Sequence, residues 1–117
     1  MPENQELRRL LWHILGGTRG GENRARIIQE LHNRPSNLNQ LSIRLKLEYR
    51  AIQHHVEVLR KNSLVVSGGE HYGLTYFLSP YLEANIGLFN DICDKLKLKF
   101  HQSASSTSPS GEKQNSE

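Results

Sequence analysis

The sequence predicts a mainly α fold carrying one small β-hairpin, an α+β class, on three observations. Leucine and isoleucine recur at three- and four-residue spacing through successive segments of the first 62 residues. Beyond Asn62 the period shortens: Leu64-Val65-Val66 precedes Gly68-Gly69, and the β-favouring run from Tyr72 to Leu78 follows. Ser79-Pro80 then restarts a helical rhythm, because serine caps well and proline is tolerated at a first helical position.

The first helix sets Leu7, Leu10, Leu11, Ile14 and Leu15 on one side and stops at Gly16-Gly17. After a hinge at Gly20-Gly21, a second helix from about Glu22 to His32 turns Ile27, Ile28 and Leu31 inward until Pro35 blocks it. Asn37 followed by Gln40 has the spacing of a capping box, so a third helix runs to about Lys46 with Leu38, Leu41 and Leu45 inward. A short break at Lys46-Leu47 leads to a fourth helix, about Glu48 to Asn62. The hairpin comes next, and a last long helix reaches about Phe100. The expected organisation is an N-terminal helix (1–18), a central domain with the hairpin (19–79), a C-terminal helix (80–100) and a disordered tail (101–117). That tail has seven Ser/Thr and no large apolar residue with which to offset the entropy of ordering.

At 117 residues and 36% hydrophobic content, the chain suits one small core with a polar surface, which excludes a multidomain enzyme. A single cysteine leaves no intrachain disulfide, and no apolar run approaches the roughly 18 residues of a membrane span. The first residues lack a basic leader followed by an apolar stretch, so a soluble, cytoplasmic protein is expected. Charge is regional. Residues 19 to 61 hold nine basic and four acidic side chains, a balance of +5, whereas residues 62 to 100 hold three and four, a balance of −1. A basic middle segment is the footprint of a nucleic-acid contact, although a charged run is also how a helix solvates its outer face.

Short helices, a tight break between the last two, and a following hairpin form the order of a winged helix-turn-helix with added N- and C-terminal helices. The run from Leu41 to Leu59 (LSIRLKLEYRAIQHHVEVL) resembles the helix-turn-helix core of ArsR-like regulators. The flanking GGTRGG (16–21) and YGLTYFLSP (72–80) resemble archaeal winged-helix transcription regulators in particular. The resemblance spans about residues 7 to 98 and implies a dimeric, sequence-specific double-stranded DNA-binding transcription regulator. One departure stands in the turn, where such regulators usually have glycine and this chain has Lys46. A left-handed lysine would cost about 1 kcal/mol, and a wider turn would relieve it.

On a wheel of roughly 100° per residue, Ile52, His55, Val56 and Leu59 of the fourth helix face inward, while Arg50, Gln53, His54, Glu57 and Lys61 face outward. The N-terminal part of a reading helix meets base edges, which selects Tyr49, Arg50, Gln53 and His54. Arginine can bind guanine and glutamine adenine through paired hydrogen bonds; Tyr49 is as well placed to pack beside the core. Arg24, Arg26, Arg44, Lys46 and Lys61 are the candidates for phosphate contact. The wing tip, Gly68 to His71, has no Lys or Arg, and Glu70 would be repelled by phosphate, so it is expected to contribute little.

In the last helix Leu82, Ile86, Phe89, Cys93, Leu96 and Phe100 repeat at the spacing of a helix-helix seam, offering a homodimer interface or packing on the first helix. Cys93 reads as a small buried apolar residue, and His13 and His32 as ordinary surface or half-buried histidines without partners. One cysteine with scattered histidines makes no metal site, and no cofactor is implied. The rival function is a winged-helix protein-interaction module whose basic face is incidental. An enzyme is not expected, since no phosphate-cradling glycine motif or nucleophile–base spacing occurs.

Overall fold

Asn4 opens the chain's first helix by accepting a hydrogen bond from the Leu7 amide at 3.0 Å through its side-chain oxygen. The computed structural model describes residues 4–17, 19–69 and 74–98. In it α1 is Gln5–Gly16, α2 Gly21–Asn33, α3 Leu38–Leu45, α4 Tyr49–Lys61, β1 Val65–Gly68, β2 Thr75–Leu78, α5 Pro80–Glu83 and α6 Ile86–Leu96. Buried side chains from every one of these elements belong to a single hydrophobic core.

The Gly20-Gly21 pair does more than hinge α1 to α2. Gly20 caps α2 in a left-handed conformation (φ 85°), and a Cβ on Gly21 would fall inside the Leu15 carbonyl of α1. The start of α2 is thereby seated directly on the end of α1. The capping box of α3 is formed in full: Gln40 N donates to Asn37 Oδ1 at 2.7 Å, and Asn37 N to Gln40 Oε1 at 2.9 Å. Lys46 ends α3 in the left-handed region (φ 58°, ψ 46°), so the turn keeps its strain instead of widening. Ser42 Oγ donates to Leu47 O at 2.6 Å and ties the turn back to α3.

β1 and β2 pair antiparallel from Val65 opposite Leu78 to Gly68 opposite Thr75. The α2–α3 linker adds a one-residue bridge that periodicity did not signal: Ser36 N donates to Tyr76 O at 3.1 Å, and Tyr76 N to Ser36 O at 2.8 Å. The expected wing tip at Glu70 and His71 lies outside the described residues, as do Phe100 and the tail.

The long C-terminal helix is corrected. It is two helices, broken at Ala84-Asn85, where Asn85 leaves helical backbone at φ −118°, ψ 28°. Its backbone N–H donates to Leu82 O, while its side-chain amide takes over the Tyr81 carbonyl at 2.9 Å that a continuous helix would have used. The expected dimer seam changes with it. Leu82, Phe89 and Cys93 are each 0% exposed within the single chain, held in its own core, and only Ile86 and Leu96 keep half-buried surface. α6 lies on α1, where Leu96 is so close to Gly16 that a Cβ there would meet Leu96 Cδ2 at 2.9 Å. Arg8 Nη2 reaches Asp91 Oδ2 at 2.9 Å across the same contact, a solvated pair of small energetic worth.

Candidate nucleic-acid interface

α4 is amphipathic in the manner its sequence requires. Ile52, Val56 and Leu59 are at most 2% exposed, and they lock the helix against the core. Arg50, Gln53 and His54 are exposed, and Tyr49 joins them at 48% exposure instead of packing beside the core. The four side chains share the first two turns of the helix. Among the described residues, neither Arg50 nor Gln53 has a side-chain hydrogen bond within the chain, so both keep their donors available.

Glu57 faces the same way but does not stand as an isolated negative charge. Arg60 Nε donates to Glu57 Oε1 at 3.1 Å and Arg60 Nη2 to Oε2 at 2.7 Å. This hydrogen-bonded pairing lowers the Glu57 pKa and raises that of Arg60. Arg60 was absent from the sequence-derived site, although its spacing of three from Glu57 is the signal that would have found it.

The five phosphate candidates separate into three groups. Lys46, at the turn, and Lys61, at the end of α4, are exposed. Arg26 and Arg44 are half-buried and brace the scaffold: Arg26 Nη2 donates to Leu45 O at 2.6 Å, closing the end of α3, and Arg44 Nη1 donates to Ser36 Oγ at 2.8 Å beside Glu30. Arg24 is a correction. It is 4% exposed, its Nε donates to Ile14 O at 3.0 Å, and its Nη1 lies 3.2 Å from His55 Nδ1.

An arginine has no acceptor, so His55 Nδ1 must accept and the imidazole proton sits on Nε2. Burial foremost, then the charges of Arg24 and His54, lower the His55 pKa, which keeps this ring neutral. The inward face of α4 is thus hydrogen-bonded through Arg24 to the end of α1. His32, expected to lack a partner, has one: its Nδ1 is 2.8 Å from Glu83 Oε2, tying α2 to α5. Cys93 is buried and its thiol is pushed up to about 12, mainly by burial. Among the described residues no group of three His, Cys, Asp or Glu could hold a metal ion, and no helix is long and apolar enough to cross a membrane.

No family model and no curated protein matches the chain. Solved structures do. A transcriptional regulator HlyU from Vibrio vulnificus is 25% identical over 74% of this chain and 88% of its own, with a TM-score of 0.57. HlyU from Vibrio cholerae is 25% identical over 78% of this chain and 97% of its own, with a TM-score of 0.59. The homodimeric winged helix-turn-helix DNA-binding domain Mb0332 from Mycobacterium bovis, a possible ArsR-family regulator, shares 13% identity over 87% of this chain and 95% of its own, with a TM-score of 0.58. The chain therefore has the α+β winged-helix architecture, and its structural neighbours are described as transcriptional regulators rather than enzymes.

Proposed function

We propose that the protein is a sequence-specific, double-stranded DNA-binding transcription regulator that reads the major groove with α4. The observation that carries this reading is the exposed cluster of Tyr49, Arg50, Gln53 and His54 on the first turns of a helix whose opposite face is locked in the core. Arg50 and Gln53 read base edges, while Lys46 and Lys61, with the outer donors of Arg26 and Arg44, hold the phosphates on either side. The Glu57–Arg60 pair keeps a carboxylate on this face from repelling the backbone.

A homodimer belongs to the same reading, because two-fold symmetry sets reading helices about 34–36 Å apart on successive major grooves. Its surface is the outer edge of the α1–α6 contact rather than the buried stripe. There Trp12 is 37% exposed and Leu10, Ile86 and Leu88 are half-buried. The homodimeric state named for the Mycobacterium bovis domain supports this assembly. The archaeal resemblance rests on the two flanking motifs, and a cytoplasmic location follows from the regulatory role. Selection of bound duplexes from a genomic library, followed by footprinting, tests the proposal. Recovery of discrete sites whose binding weakens with salt is expected, and no selection above random duplex would refute it.

A further inference from the structure

Beside the reading face, α1, Arg19 of the α1–α2 loop, α2 and α4 border an open, shallow pocket of about 440 Å³ lined by His13, Ile14, Arg19, Arg24, His54, Val58 and Asn62. Its volume falls within the range of about 300–1,000 Å³ typical of small-molecule sites. Among the described residues no carboxylate lines it. Two arginines, two imidazoles and an amide come from four separate segments, with Ile14 and Val58 as the apolar part of the wall. Arg24 belongs to the buried floor, braced by the Ile14 carbonyl and His55, whereas Arg19 is exposed at the rim and has no ion pair among the described residues. A braced cation below and an exposed one above give this wall an uneven positive field.

We propose that this cavity is a binding site for a small phosphomonoester, a phosphate head carried on a short apolar body. Two permanent cations match the charge of about −1.5 to −2 that such a group carries at neutral pH, which a monocarboxylate does not. Either imidazole supplies an N–H donor even when neutral, and Asn62, whose amide already donates to Val58 O at 2.8 Å, has one N–H left, so the donors suit a group with three free oxygens. The apolar body lies on Ile14 and Val58. His54 lines the cavity and also belongs to the reading face, so the bound anion draws it from DNA and lowers duplex affinity. That coupling rests on the DNA-binding reading; the pocket itself does not.

The test begins without DNA. The full chain, isotopically labelled, is titrated with phenyl phosphate at constant ionic strength and followed by NMR. Saturable shifts are expected around His13, Arg19 and His54, with a dissociation constant of about 1 mM or tighter. Arg19→Ala, a change at an exposed loop position, weakens binding roughly fivefold or more, whereas Lys95→Ala on α6, which does not line the pocket, leaves it unchanged and phenol gives no saturable shift. Shifts that rise without saturation, or that are equal in Arg19→Ala, would overturn the pocket. So would a loss of duplex affinity in Arg19→Ala without saturable phenyl phosphate binding, which would make Arg19 a contact to DNA phosphate instead. A second arm measures duplex binding with and without saturating phenyl phosphate. A fall of roughly threefold or more that vanishes in Arg19→Ala is expected, and an unchanged affinity overturns the coupling. Failure of the chain to bind any duplex, with phenyl phosphate binding intact, counts against the DNA reading alone.

Discussion

Gly21→Ala perturbs the contact on which both the reading helix and the cavity depend. A Cβ at position 21 meets the backbone carbonyl of Leu15, which cannot rotate away as a side chain could, so α2 must lift from α1. Overpacking of this kind costs about 1–3 kcal/mol, and a rigid backbone neighbour puts the cost at the upper end. The helix-propensity gain of alanine over glycine, at most about 1 kcal/mol and less in a first turn, offsets only part of it. A net loss of about 2 kcal/mol lowers the melting temperature of a domain this size by roughly 8–16 °C. Gly87→Ala is the internal control: it also lies in a helix, but nothing stands within 4 Å of its Cβ position. That change, also in a first turn, raises stability by roughly 0.5 kcal/mol or less, or a few degrees at most. Thermal and urea unfolding followed by circular dichroism compare the two. A Gly21→Ala protein as stable as the unmodified chain would refute the close seating of α2 on α1.

The neutral, buried His55 makes stability depend on pH. Its folded pKa lies below the ordinary 6.5, so as pH falls through 6.5 the unfolded chain takes up a proton that the folded chain refuses, and stability declines until the folded pKa is passed. Urea unfolding between pH 7.5 and 5 is expected to show this decline, and His55→Asn, which keeps an acceptor for Arg24, to flatten it; identical slopes would contradict the assignment. Lys46→Gly removes the left-handed strain and raises stability by about 0.5–1 kcal/mol while weakening all duplexes alike through a lost phosphate contact. Parallel melting and binding measurements check both signs. Cys93, buried with its thiol pushed up to about 12, is expected to resist a thiol reagent at pH 8 in the folded chain and to react on unfolding. Rapid labelling without unfolding would contradict its burial.

The helices were legible where local signals and burial agree. Asn37 and Gln40 announce α3, and the Ile52–Val56–Leu59 stripe announces which face of α4 is hidden. The wheel also put His55 inward, where it is found at 8% exposure. What escaped depended on partners distant in sequence. Arg24 looks like any helix-surface cation until Ile14 O and His55 are brought to it. The break at Asn85 was hidden because Leu82 and Phe89 are both buried on either side of it, so the apolar rhythm runs on through a discontinuous backbone. The same rhythm fitted a seam between copies or packing on the first helix, and of its residues Leu82, Phe89 and Cys93 complete the chain's own core. Ser36 joins the hairpin through one residue pair, too short for any periodicity to register.

The central claim is a division of labour on one face, with Arg50 reading bases and Lys61 holding phosphate, and the most direct measurement compares Arg50→Ala with Lys61→Ala on a selected site and on random duplex across a salt series. Lys61 serves better than Arg44 here because Arg44 also braces Ser36, and its loss would mix stability with binding. Arg50→Ala is predicted to cost about 1–3 kcal/mol on the selected site, relax sequence choice at one position and spare random duplex. Lys61→Ala is predicted to weaken both duplexes equally and to reduce the salt slope by about 1. Equal losses from both substitutions on both duplexes would contradict the claim.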